Sequence, residues 1–200
     1  MKEHPINLKA QEVRAILKGR KTQLRRFVLP HSIEQARCPF GQVGDRLWVR
    51  EPWRAGRGYD GMAPSCMPQF AKTWFLADIE HDQRDHIGRT RPATHLPRWA
   101  SRILLEITGV RVERLQDISE SDALDEGITF EEVIVGAYCD GVGHCEEWGG
   151  RYFFDDGFDE GYEDYVDAYA EMWSKINDIK TWGENPWVWV IEFDVLECAK

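Results

Sequence analysis

The 200-residue chain is predicted to fold as an α+β domain: a small, mostly antiparallel β-barrel with peripheral helices, spanning residues 1–200 with insertions near 54–72 and 136–161. Three observations predict this. Segments rich in β-branched and aromatic residues outnumber helical ones; neighbouring segments are close enough for antiparallel pairing; and there is no internal repeat or low-complexity tract.

The elements follow in order. Asn7 or a neighbour caps a helix to about Lys18, with Leu8, Val13, Ile16 and Leu17 as its buried stripe. Gly19 ends it, and a basic turn holds Arg20, Lys21, Arg25 and Arg26. Residues 30–44 read as loop. Arg46–Glu51 is a strand in which Leu47 and Val49 alternate with Arg46, Trp48 and Arg50, and Pro52 ends it. Residues 54–72 read as a long surface loop, 73–77 as a short strand and 78–96 as polar loop. The runs 102–108 and 110–115 are β-rich, with a bulge or bend at Gly109. Ser119 caps a short helix, Glu120–Glu126, that stops at Gly127. Residues 136–161 carry seven glycines and many acids, an insertion. Tyr162, Tyr165, Val166, Tyr169, Met172, Trp173 and Ile176 take helical spacing as a core-facing stripe, and Trp187–Phe193 is the last strand.

Composition narrows the classes. At 42% hydrophobic with nine tryptophans, the chain can bury a core. It has no apolar run near the roughly 20 residues of a membrane span, and its start lacks the apolar stretch of a secretory signal. The expectation is a cytoplasmic protein with no membrane partner, its five cysteines reduced. The net charge of −10 hides an asymmetry: residues 1–116 carry 21 Lys/Arg against 12 Asp/Glu, whereas 117–171 carry one Arg against 18 acids. A basic region of this kind suits an anionic partner, and the acidic segment suits a cover over it.

Several pieces together resemble the ASCH family, whose domains have a PUA-like β-barrel. Its signature G-x-K-x-x-x-x-R is met by Gly19, Lys21 and Arg26, and Gly44–Glu51 and Trp187–Phe193 look like the strands that accompany it. Cys38-Pro-Phe-Gly, Pro97–Ile103 and Arg111–Ile118 narrow the resemblance to the larger phage and prophage members. The similarity covers most of the chain apart from the loop near 54–72 and the acidic insertion.

The resemblance implies a ligand cleft walled by Gly19, Lys21 and Arg26 and by Arg46, Trp48, Arg50 and Glu51, with RNA or a nucleoside or nucleotide as partner and no cofactor. Arginine supplies a planar fork for phosphate or a base edge, and Trp48 or Trp53 a stacking face worth roughly 1–3 kcal/mol per base. Each has a plainer reading: Trp48 as core, Arg50 and Glu51 paired with each other or with helix charges, Glu126 as the exposed end of a short helix. Lys21 and Arg26 take roles, while Arg20 and Arg25 face solvent.

A bacterial member of the family hydrolyses N4-acetylcytidine with a lysine, a threonine and a glutamate. Lys21 and Glu126 stand at the lysine and glutamate positions as candidate catalytic residues. Leu24 occupies the threonine position, and Thr22 points elsewhere, so no acyl-enzyme forms there. The workable chemistry is Glu126 as base with Lys21 or Arg26 stabilising an oxyanion. Binding without catalysis is the first hypothesis and hydrolysis of a modified nucleoside the second. Ribonuclease action and a phage structural or morphogenetic role follow. Cys139, His144 and Cys145 read as free thiols and a loop histidine before a zinc set, and the 155–161 loop lacks a calcium loop's closing glutamate, so no metal is expected.

Overall fold

The computed structural model describes the chain except residues 29–36, 79–85, 140–143, 154–160, 178–179 and 199–200, and it leaves the side chains of 134–148 and 180 undescribed. Five strands form the main sheet in the order β1 (Glu3–Asn7), β3 (Arg46–Arg50), β6 (Ile103–Arg114), β9 (Trp187–Cys198), β2 (Gln23–Phe27). β1 runs parallel to β3, and every other neighbour pair is antiparallel. Two hairpins stand apart: β4 (Trp53–Ala55) with β5 (Thr73–Phe75), and β7 (Thr129–Cys139) with β8 (His144–Phe153). Among the described residues the α-helices are α1 (Ala10–Leu17), α2 (Glu120–Asp125), α3 (Tyr165–Ile176) and the single turn α4 (Lys180–Gly183). The α+β class and antiparallel bias match the expectation. Strand pairing is open-ended, with β1 and β2 at the edges, so no closed barrel forms among the described residues.

β9 explains the layering. Its odd positions Trp189, Ile191 and Phe193 join Ile6, Leu8, Val13, Ile16, Leu24, Leu47, Val49, Leu105 and Ile107 in the core beneath α1. Its even positions Val188 and Val190 face Ile118, Ala168, Tyr169, Met172 and Trp173 beneath α3. A period of two puts successive residues on opposite faces, so a strand apolar at every position must be covered on both.

Three expectations are corrected. The first helix starts at Ala10, not beside Asn7: residues 3–7 form an edge strand in which only Ile6 is buried, and Pro5 is tolerated because an edge has a free side. The basic turn is in part strand β2, whose Gln23, Leu24 and Arg25 are all buried. The 54–72 segment is not a plain surface loop. It begins with the end of β4, and Trp53, Ala55, Met67, Ala71 and Phe75 close a third core with Leu96 and Ala100. Gly109 behaves as expected, sitting at a register shift within the single long strand β6. The acidic insertion supplies the β7–β8 hairpin, which is tied at its base by the Tyr152–Tyr162 backbone pair and by the Tyr152 hydroxyl donating to Glu120 at 2.7 Å. The side chains of Cys139, His144 and Cys145 and most of the 155–161 loop lie outside the described residues, and the rest holds no cluster of three metal-ligating side chains.

Candidate functional site

Two helix ends build the site. α1 stops with Gly19 at φ +70°; the Gly19 amide donates to Ile16 O and the Arg20 amide to Ala15 O, both at 2.9 Å. α2 stops in the same way, with Gly127 at φ +104°, its amide donating to Leu124 O at 2.9 Å and that of Ile128 to Ala123 O at 3.1 Å. This double hydrogen bond needs a left-handed residue, which glycine supplies without strain. The two ends meet: Lys21 and Glu126 form an isolated antiparallel bridge, and the Thr22 amide donates to Asp125 O at 2.8 Å. Residues 105 apart in sequence are thereby placed side by side.

Both side chains are buried, Lys21 at 2% and Glu126 at 3% exposure. The Lys21 ammonium donates to Glu126 Oε2 and, at 3.1 Å, to the Glu126 carbonyl. Arg25 Nη1 reaches Glu126 Oε1 at 3.1 Å and Gln23 Oε1 at 2.6 Å; its Nη2 reaches Glu113 at 2.5 Å and Asp122 at 3.4 Å. Arg111 adds contacts to Asp122 at 2.7 Å, Glu113 at 3.1 Å and Glu192. Each Glu126 oxygen thus faces a cation, and Glu126, the C-cap of α2, has its charge offset at a helix end that disfavours carboxylates. Burial alone would raise the Asp122 carboxyl; the Gln23 amide, Arg111 and Arg25 outweigh it and hold it down to about 2.

Arg26 turns the other way. Its Nη2 meets Glu12 at 3.0 Å and Asn7 O at 3.2 Å, and Nη1 meets Arg25 O at 2.8 Å. Glu12 is itself buried and accepts from the Lys9 amide at 2.9 Å. Burial pushes its carboxyl up, but Arg26 and Lys21 prevail and keep it below the usual range. Beside the Lys21–Glu126 pair lies a cavity of about 20 Å³ edged by Glu12, Ala15, Arg20 and Gly127, enough for about one water. Leu24 is fully buried, and the Thr22 hydroxyl donates to Asp125 at 3.1 Å, away from this cavity's lining.

The β3 residues form a second group, and no hydrogen bond or ion pair among the described residues joins them to the first. Arg46, Trp48 and Arg50 share one face of the strand, opposite the buried Leu47 and Val49. The Arg50 guanidinium lies 4.4 Å over the Trp48 ring and that of Arg98 at 5.8 Å. Trp48 is 8% exposed and Trp53 fully buried, so neither offers a free stacking face; each carries a cation, Trp53 that of Arg91 at 5.4 Å. Glu51 is buried on Arg102, at 2.8 and 3.0 Å, rather than on Arg50; burial raises its carboxyl despite that partner. Arg46 and Arg50 make no ion pair among the described residues, in contrast to Lys21, Arg25, Arg26, Arg102 and Arg111.

Arg25 is a correction as well as a find. Expected in solvent, it is 1% exposed and the centre of the charge cluster, with its guanidinium 5.6 Å from the Tyr169 ring centre. Its period-two relation to Gln23, across from Leu24, was the signal in the sequence. Glu113, Asp122 and Glu192 give no such signal, because the roles of Glu113 and Glu192 depend on strand register and that of Asp122 on where α2 packs.

No protein-family model and no curated protein matches the chain. Among solved structures, the ASCH domain from Lactobacillus crispatus JV V101 is similar over 98% of this chain and 79% of that chain, at 15% identity and a TM-score of 0.39. The function is therefore read from the site's own geometry.

Proposed function

We propose that this chain is an ASCH-type protein that binds RNA or nucleotides, and that the outer face of β3 supplies the phosphate contacts. The carrying observation is which cations are left over. Lys21, Arg25 and Arg26 are each neutralised by carboxylates within the fold. Arg50 and Arg98 hold guanidinium groups over one indole and Arg46 shares that strand face; Arg98 pairs with Glu3 at 2.9 Å, whereas Arg46 and Arg50 make no ion pair among the described residues. Stacking on Trp48 fixes the Arg50 plane and leaves its fork edge for a phosphate oxygen. On this reading the Gly19–Lys21–Arg26 signature orders the scaffold.

The test is fluorescence anisotropy with a labelled single-stranded RNA across a salt series. Affinity is expected to fall with salt, and Arg46→Glu with Arg50→Glu to flatten the slope by about 1.4, since each lost phosphate contact removes about 0.7 on single strands. Unchanged affinity in a variant with intact circular dichroism would sink the reading.

One observation favours a second reading, hydrolysis of a modified nucleoside such as N4-acetylcytidine: Glu126, paired with Lys21, lines a cavity with room for a water. With no hydroxyl at Leu24, Glu126 is the base on this reading, and Lys21 or Arg26 the stabiliser of the oxyanion. Deacetylation abolished by Glu126→Gln supports it; no turnover by wild-type protein removes it.

A further inference from the structure

A further cavity lies apart from both the small one beside Glu126 and the β3 face. It is a groove of about 490 Å³ between β5 and the turn at 98–102, inside the roughly 300–1,000 Å³ typical of small-molecule sites. Its walls carry Trp74 and Trp99, both half-buried, and its floor carries Phe75 and Arg102. Arg102 is rigidly held: its fork grips Glu51 at 2.8 and 3.0 Å and Asp78 at 2.6 and 3.0 Å, and its plane lies 4.2 Å over Phe75. That leaves Lys72 as the cation of the groove. It is exposed, makes no ion pair among the described residues, and holds its ammonium 5.2 Å from the Trp74 ring centre. No ring contact joins Trp74 to Trp99; Trp74 instead meets His86 edge-on at 5.8 Å.

We propose that this groove is a nucleotide subsite, in which the base stacks on Trp74 or Trp99 and the phosphate meets Lys72. The inference rests on the RNA- or nucleotide-binding reading and supplies what the β3 face lacks. There the tryptophans are closed off by burial; here two half-buried indoles border open volume, and Lys72, which makes no ion pair among the described residues, stands over one of them. Indole faces accept any base, and an adjacent cation adds to the stack. Asp78 at the groove's edge disfavours an anion on its own side, which places the phosphate at the Lys72 end. The groove is tied to the end of β3 by the pairing of Arg102 with Glu51, the residue that follows the strand.

Calorimetric titration of the full chain with AMP, adenosine and inorganic phosphate tests this. AMP is expected to bind in the millimolar range or tighter, with adenosine weaker and phosphate weakest. Of Trp74→Leu and Trp99→Leu, the one that removes the stacking face should weaken AMP and adenosine alike by about tenfold, in line with the worth of one stacked base, and no loss in either overturns the proposal. Lys72→Ala changes an exposed side chain and cannot be confused with misfolding; it should weaken AMP at least about threefold and leave adenosine unchanged. The proposal is overturned if AMP does not saturate, if phosphate binds as tightly as AMP, or if Lys72→Ala leaves the preference for AMP over adenosine intact. RNA binding that depends on Arg46 and Arg50 without any AMP binding would end this inference alone. AMP binding with RNA affinity indifferent to Arg46 and Arg50 would end the β3 reading and keep the groove.

Discussion

Arg25 shows how a single side chain can decide the balance of a buried site. Its guanidinium is shut away from water, which on its own would weaken its hold on the proton. Charge interactions with Tyr169 and Glu126 and the hydrogen bond to Glu113 more than reverse this and leave it firmly charged. One planar fork then serves Glu126, Glu113, Asp122 and Gln23, a geometry that lysine, a point charge, does not reproduce. Removing one partner from a buried ionic set leaves the others uncompensated, at about 3–5 kcal/mol. Arg25→Met is therefore expected to lower unfolding stability by about that amount, and Arg25→Lys by less, both measured by urea denaturation. A loss under about 1 kcal/mol for Arg25→Met would mean that the carboxylates rearrange into water without it. Charge counting along the sequence identifies Arg25 as basic but cannot give its direction. In a short strand that follows from which face the neighbouring Leu24 takes.

Among the elements, those with strong apolar periodicity were legible: β3, the bulged β6, β9, the Tyr/Met/Trp stripe of α3 and the Ser119 cap of α2. β1 and β2 were not, because β1 buries one apolar residue and β2 buries Gln23 and Arg25 against other charges. Long-range pairing, rather than local pattern, makes those strands. The candidate site was legible in part: Gly19, Lys21 and Glu126 stood out in the sequence, but not the two matching helix ends that join them. Those ends differ in a testable way. A Cβ at Gly19 meets nothing within 4 Å, whereas at Gly127 it would stand 3.1 Å from Ala15 Cβ. Gly19→Ala should therefore cost only its left-handed backbone strain, about 1–2 kcal/mol. Gly127→Ala should cost more, because α1 must also give way. Thermal unfolding of the two variants, measured side by side, checks the order. Equal losses would show that the α1–α2 contact yields freely.

At the scale of the whole molecule, the charge asymmetry of the sequence becomes a set of cross-links. Arg25 and Arg111 come from the basic part, while Asp122 and Glu126 come from the acidic part and Glu192 from the last strand. The acidic segment therefore holds the basic segment through Asp122 and Glu126. This linkage predicts how the protein responds to acid. Asp122 titrates at about 2 when folded, against an ordinary value of 3.8. A carboxylate with a depressed folded value binds fewer protons when folded. Its contribution is complete above about pH 4, declines as the pH falls through that interval and is gone below about pH 2. Asp122 is partly open to water, so screening reduces the contribution to about 1 kcal/mol or less. Asp122→Asn should therefore be less stable than wild type by about that amount near neutral pH, and the gap should close on approach to pH 2. Urea midpoints of both proteins measured from pH 2 to 7 give the difference directly, and added salt should narrow it at neutral pH. A gap that stayed constant with pH would mean that Asp122 acts through packing and hydrogen-bond shape. The two oppositely charged parts would then be held together by the helix ends and the shared β9 core instead.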